Sequence, residues 1–234
     1  MSDPVTGFAL FALCHYFGRR GRAMTRSLAG QVGCPVPLEL RVFHSRPEDA
    51  ALLEEGLADG PFRLPMTKIQ VPPDRIMQRA VHFSEAHRMH GLSHTVFIDA
   101  DLWFPPAFWA RYVAAIEGET PGYWSCRVMN IPYLLAESML NGWLEISREK
   151  LDKMETGRRF DEQAGRAGHF QCIPRDHAPY PSSPVHSVGH TDMAFSKAAI
   201  DLSLNKRTDR RISDVPAYHL GHPRFWEGTA GVEL

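Results

Sequence analysis

Residues 7–16, Gly-Phe-Ala-Leu-Phe-Ala-Leu-Cys-His-Tyr, are almost uninterruptedly apolar. A strand wetted on one side alternates polar and apolar residues; a run without alternation must be covered on both faces, as in a parallel sheet between helices. The next segments keep that rhythm. A glycine-punctuated basic loop, Phe17-Gly-Arg-Arg-Gly-Arg22, leads to a short helix over 23–31 and a second strand over 38–44. Ser45-Arg-Pro-Glu48 has the form of a capping box with Pro in the first turn, predicting a helix over 47–57. A short strand over 67–71 stops at Pro72-Pro73, and Ile76, Ala80, Phe83 and Ala86 recur at helical spacing towards Gly91. Residues 94–98 are again a hydrophobic strand. The first hundred residues thus read βαβαβαβ, which predicts a mostly parallel α/β sheet flanked by helices, with ligands at the carboxyl ends of the strands.

Composition narrows the class. With 234 residues, 44% apolar and 23% charged, the chain can bury a core as one domain without staples. Its 26 Lys+Arg against 27 Asp+Glu leave no global field for nucleic acid or an anionic membrane, so phosphate binding has to be local. Cys14, Cys34, Cys126 and Cys172 form no C-x-x-C pair, excluding a zinc ribbon or thioredoxin-type motif. The early apolar run is far short of the roughly 20 residues that span a bilayer and lacks a basic leader, so no transmembrane segment and a cytoplasmic location are expected.

The second half is less regular. Helix is expected over 107–117 and over 133–153, strand over 123–128, helix over 192–201, and a last short strand over 216–222. Between them, 165–190 reads as a long His- and Pro-rich loop, a kind of segment that tends to be functional. In that loop His169, His177, His186 and His190 read as exposed residues, while the step after Gly168 marks a strand edge from which Gln171 could face a pocket. Trp124, Trp143 and Trp226 are stacking platforms or core.

The strongest local signal is His94-Thr-Val-Phe-Ile-Asp99-Ala-Asp101-Leu-Trp-Phe-Pro105-Pro106. Two carboxylates two residues apart at the exit of a buried strand are costly to desolvate unless something positive compensates them. A divalent cation carrying phosphates would do so, because hard cations take carboxylate and phosphate oxygens together. Capping of the next helix is the alternative use of either Asp.

The segment from Ile98 to Phe108 resembles the D-x-D region of nucleotide-sugar glycosyltransferases of the GT-A fold, family-2-like enzymes in particular. Arg79 through Ala86 to Phe97 is similar to the helix that approaches the D-x-D in that family. Gly189-His-Thr-Asp192-Met-Ala-Phe195 resembles the segment supplying the catalytic base. Tyr218-His219-Leu-Gly-His222-Pro resembles the C-terminal histidine segment of some members' metal site. The resemblance covers most of the chain in order, as a single domain with a nucleotide-binding half over 1–101 and an acceptor-binding half over 102–234.

The resemblance implies a metal-dependent, inverting hexosyl transfer in glycan or polysaccharide synthesis, from a nucleoside-diphosphate sugar, UDP favoured, to a glycan or small hydroxyl acceptor. Asp101, with His222 and His219, would hold Mn²⁺ or Mg²⁺. Asp99 would join the metal site through a metal-bound water or contact the ribose, Arg79 would face the donor, Gln171 would bond a sugar hydroxyl, and Asp192 would deprotonate the acceptor. Imidazole ligands favour Mn²⁺. Where the family has a P-x-x-N-R turn this chain has His15-Tyr-Phe-Gly-Arg-Arg20, so Tyr16 could stack on the base and Arg20 reach phosphate. Where the family has an acidic turn after the second strand stands His44-Ser45-Arg46-Pro47, which leaves the base open. Two rival readings remain: a degenerate nucleotide-sugar or carbohydrate-binding domain, and a D-x-D phosphatase, whose motif would want Thr or Val where Trp103 stands.

Overall fold

A computed structural model describes residues 4–58, 60–76, 78–119, 124–142, 169–175 and 210–222. In chain order the elements are β1 (Phe8–Cys14), α1 (Gly18–Ala29), β2 (Leu38–His44), α2 (Pro47–Ala58), β3 (Met66–Gln70), α3 (Arg79–His87) and β4 (His94–Asp99). They continue with β5 (Leu102–Trp103), α4 (Phe108–Ile116), β6 (Trp124–Ile131), α5 (Tyr133–Leu140), β7 (Phe170–Pro174) and β8 (Arg210–Leu220).

The strands form one mixed, mostly parallel sheet of eight, ordered β3-β2-β1-β4-β7-β6-β8-β5. β1 is apolar throughout because both of its faces are covered. Phe8, Leu10, Ala12 and Cys14 enter a core with α1, α2 and α4, while Ala9 and Phe11 pack on the other side against Phe83 and Ala86 of α3. β1, β2, β3 and β4 pair in parallel. Since β1 lies between β2 and β4, the chain leaves β1 towards one side and returns on the other. This opens a crevice at the carboxyl ends of β1 and β4, where α/β sheets bind ligands.

Beyond β4 the sheet turns mixed. β7 runs antiparallel to β4 with Ile98 opposite Phe170, and β5 runs antiparallel to β8 with Leu102 opposite His219. β8 is parallel to β6, with a register shift between Cys126 and Val128. Pro216 lies in the β8 segment bulged out by that shift, where its missing N–H breaks no ladder bond.

Three expectations are corrected. The glycine-rich basic segment after β1 is not a loop: α1 begins at Gly18. A Cβ at Gly18 would come within 2.6 Å of Leu52 Cδ1, and one at Gly21 within 2.9 Å of Leu53 Cδ2. These glycines let α1 lie close against α2. Ser45 does not cap α2; its hydroxyl shares a 2.5 Å hydrogen bond with His15 Nδ1. Residues 170–174, read as part of a long loop with a strand edge, form a strand in the sheet interior between β4 and β6. Of the helix expected over 133–153, residues 133–140 form α5, which ends there with Gly142 at φ +76°; residues 143–153 and the expected helix over 192–201 lie outside the described residues.

Candidate functional site

The carboxylates of the D-x-D leave β4 into the crevice, and sheet pairing delivers their partners. Leu220 N–H donates to Asp101 O at 2.9 Å and Leu102 is opposite His219, so β8 is locked alongside Asp101. Both following histidines then turn onto one oxygen: His219 Nε2 is 3.1 Å and His222 Nε2 3.2 Å from Asp101 Oδ2. On the other flank, Asp99 N–H donates to His169 O at 3.1 Å, extending the β4–β7 ladder by one step. That step places His169 Nδ1 on Asp99 Oδ2. Arg79, at the first turn of α3 and 4% exposed, puts Nη1 3.2 Å from Asp99 Oδ1.

Burial acts to raise both carboxyl pKa values, but their partners win. Arg79 and His169 hold Asp99 below the ordinary carboxylate range, and His219 and His222 hold Asp101 well below it. For His219 burial works against the charge, and Asp101 outweighs it, raising the imidazole above its usual value. Both carboxylates are therefore ionised at neutral pH.

Asp101, His219 and His222 each offer a ligand atom, all within 4.8 Å of one another, and so do Asp99, Asp101 and His169. Asp101 is 4% exposed, yet its Oδ1 is buried without a hydrogen-bond partner among the described residues. An orphaned carboxylate oxygen beside two convergent imidazole nitrogens is what a divalent cation would complete, and this donor set suits Mn²⁺ better than Mg²⁺.

At the mouth of β1, Tyr16 has φ +60°, a left-handed backbone that is strained for a residue with a side chain. Its N–H donates to Asp49 Oδ2 at 3.1 Å, and the Arg46 guanidinium lies 4.5 Å from its ring centroid. Residues from the ends of β1 and β2 thus build a half-buried aromatic ledge on the crevice.

Two expected contacts are placed elsewhere. Arg20 does not face a phosphate. Because α1 starts at Gly18, Arg20 points inward, fully buried, and donates to Leu220 O, Gly221 O and Glu137. It fastens the chain between His219 and His222. Gln171 is fully buried in mid-sheet opposite Phe97, its amide unpartnered among the described residues, and is not at a surface where a sugar would meet it. Trp124 is core. Asp192, Trp143, Trp226, His177, His186 and His190 lie outside the described residues. Sequence reasoning misses His169, which reads as an exposed loop residue; its signal is the strand immediately after it.

No protein-family model and no curated protein sequence matches the chain. Solved structures do. TarS of S. aureus, residues 1–349 in complex with UDP-GlcNAc, matches 94% of this chain at 12% identity with a TM-score of 0.58. The mannosyltransferase PcManGT of Pyrobaculum calidifontis, in complex with GDP-Man and Mn²⁺, matches 97% at 14% identity with a TM-score of 0.55. This chain spans 60% and 59% of those two chains, and 37% of a longer TarS structure. The fold is that of the GT-A glycosyltransferases, with an Asp/His group suited to a metal at the crevice.

Proposed function

We propose that this chain is a metal-dependent, inverting glycosyltransferase that uses a nucleoside-diphosphate sugar, UDP favoured, and a glycan or other hydroxyl acceptor. One observation carries the reading: in a GT-A fold, Asp101, His219 and His222 converge at the crevice where such sheets bind ligands. A bound Mn²⁺ would supply Lewis-acid stabilisation of the departing diphosphate. Asp101, His219 and His222 would hold it. Tyr16, backed by Arg46, offers the base a stacking face, and Arg79 keeps Asp99 ionised and fixed beside the donor. Asp192 takes the proton of the acceptor hydroxyl as its oxygen bonds to the anomeric carbon and the bond from that carbon to the diphosphate oxygen breaks. A single displacement of this kind inverts the centre. The chain acts as one domain, residues 1–101 serving the nucleotide and 102–234 the acceptor.

A phosphatase reading needs Asp99 as a free nucleophile, and Arg79 and His169 engage its two oxygens. The degenerate-binder reading is favoured by the non-acidic turn Ser45-Arg46, and experiment separates it from catalysis.

Calorimetry with UDP, GDP, UDP-GlcNAc and GDP-Man in Mn²⁺, Mg²⁺ or EDTA tests the site. Mn²⁺-dependent binding of one nucleotide is expected; a folded protein that binds none of them overturns the transferase reading. Asp192→Asn should abolish transfer and leave donor binding intact. Donor binding by the wild type without transfer to any acceptor or to water would point to the binding domain.

A further inference from the structure

His169 has no part in the proposed mechanism, yet the sheet aims it at the same place. Its Nδ1 meets Asp99 Oδ2, and a carboxylate can only accept, so Nδ1 carries the hydrogen. The lone pair is then on Nε2, the nitrogen left for another partner. Histidines that bind metals characteristically donate their other N–H to a carboxylate in this way, which fixes the tautomer and makes the ligand more basic. The His169 ring lies 4.6 Å from that of His219, centroid to centroid, and the His219 ring 5.5 Å from that of His222. The His219 ring thus neighbours both others, and His169 offers a nitrogen within 4.8 Å of a carboxylate oxygen of Asp101.

Charge separates the two carboxylates. Asp99 already has the buried guanidinium of Arg79 on its other oxygen, so little of its charge is left for a cation. The ion-pair partners of Asp101 among the described residues are imidazoles, not arginine or lysine, and its Oδ1 stays unpartnered. Two cations sharing Asp101 would stand beside Arg79 with only two carboxylates between them. With neutral imidazoles, Arg79 and the two carboxylates leave one negative charge, so a single divalent cation brings the donor-free cluster to one positive charge and a second would bring it to three.

We infer that His169 is a third imidazole ligand of a single cation held by Asp101, His219 and His222, and that Asp99 orients it from outside, clamped between Arg79 and His169. The site is then richer in nitrogen than the D-x-D alone would make it. It favours Mn²⁺, and still more the borderline cations Co²⁺ and Zn²⁺, over Mg²⁺. This rests on the metal site of the proposed function but not on the donor or the reaction, so the test uses metal alone.

The experiment is Mn²⁺ binding by electron paramagnetic resonance, with nitrogen couplings counted by pulsed methods, and Mg²⁺ competition, on the full chain. The wild type should bind one Mn²⁺ and show three imidazole couplings. His169→Ala should show two, weaken Mn²⁺ by at least the roughly 10–100-fold that losing an outer-shell partner already costs, and leave Mg²⁺ affinity within about threefold. His169→Gln serves as the second variant, and circular dichroism checks that both fold. Asp99→Asn should keep all three couplings with weaker binding. Three couplings or wild-type Mn²⁺ affinity in His169→Ala, or two in the wild type, overturns the inference and leaves the metal site standing. A wild type that binds no divalent metal removes the metal site of the proposed function and this ligand with it.

Discussion

Arg20 holds the loop that carries two candidate ligands rather than a phosphate, so its removal should register in stability before anything else. The guanidinium is fully buried, with Nη2 2.6 Å from Glu137 Oε1 and 2.7 Å from Gly221 O, and Nε 3.2 Å from Leu220 O. Arg20→Met keeps most of the volume and deletes these donors. Breaking a buried pair costs about 3–5 kcal/mol when the partner is stranded. Glu137 is not stranded, since its side chain is 22% exposed and Arg19 remains 3.1 Å away, which argues for the low end. With the two carbonyls cut off from their donor included, about 3 kcal/mol is the expected loss. At roughly 2–4 °C per kcal/mol for a chain of this size, Tm should fall by about 6–12 °C. Urea unfolding of Arg20→Met, Glu137→Gln and the double variant gives the coupling, expected at about 1–3 kcal/mol. Mn²⁺ affinity should fall in the same variant, because Leu220 and Gly221 separate His219 from His222. A loss below about 1 kcal/mol with unchanged Mn²⁺ affinity would refute the idea that Arg20 anchors the metal-binding segment.

Asp101→Asn keeps the shape of the side chain but not its charge, and should weaken Mn²⁺ by more than about 100-fold, beyond what an outer-shell residue costs; titration calorimetry reads it. His94 is buried and neutral, its pKa pushed down to about 4 by desolvation from 6.5. Its contribution is fully present above about pH 6.5, where folded and unfolded forms are both neutral, and is lost as pH falls towards 4 because only the unfolded form takes up the proton readily. At pH 5 the loss should be about 2 kcal/mol relative to pH 7.5. His94→Asn should flatten the acid limb of a urea-unfolding pH series by about that much, and comparing the two slopes cancels the opposite contribution of His219. Gly21→Val should cost about 1–3 kcal/mol by overpacking, since a Cβ there lies 2.9 Å from Leu53 Cδ2 and 3.2 Å from Cys14 Sγ; thermal unfolding measures it.

Legible in the sequence is whatever a short window decides. β2 is found at 38–44 as read, because its ends are set by Pro and Ser around a hydrophobic run. The D-x-D is legible for the same reason, since carboxylates at a strand exit declare a desolvation cost that nearby residues must answer. The start of α1 is not, because glycine reads locally as a break. Here Gly18 and Gly21 serve contact with α2, some thirty residues on in the chain, and no local window contains that partner. His169 escapes for a related reason. As a residue after a glycine in a His-rich stretch it is anonymous; what gives it a role is the antiparallel register that sets residue 170 against residue 98. The same register explains why Gln171 does not reach a sugar. Side chains alternate along a strand, and a strand in the sheet interior has both faces covered, so the residue one step past the ladder's end, not the one inside it, reaches the crevice. Strand pairing between distant segments thus selects which histidines and carboxylates meet, and it converts an ordinary-looking position into the one that Asp99 holds by its second oxygen.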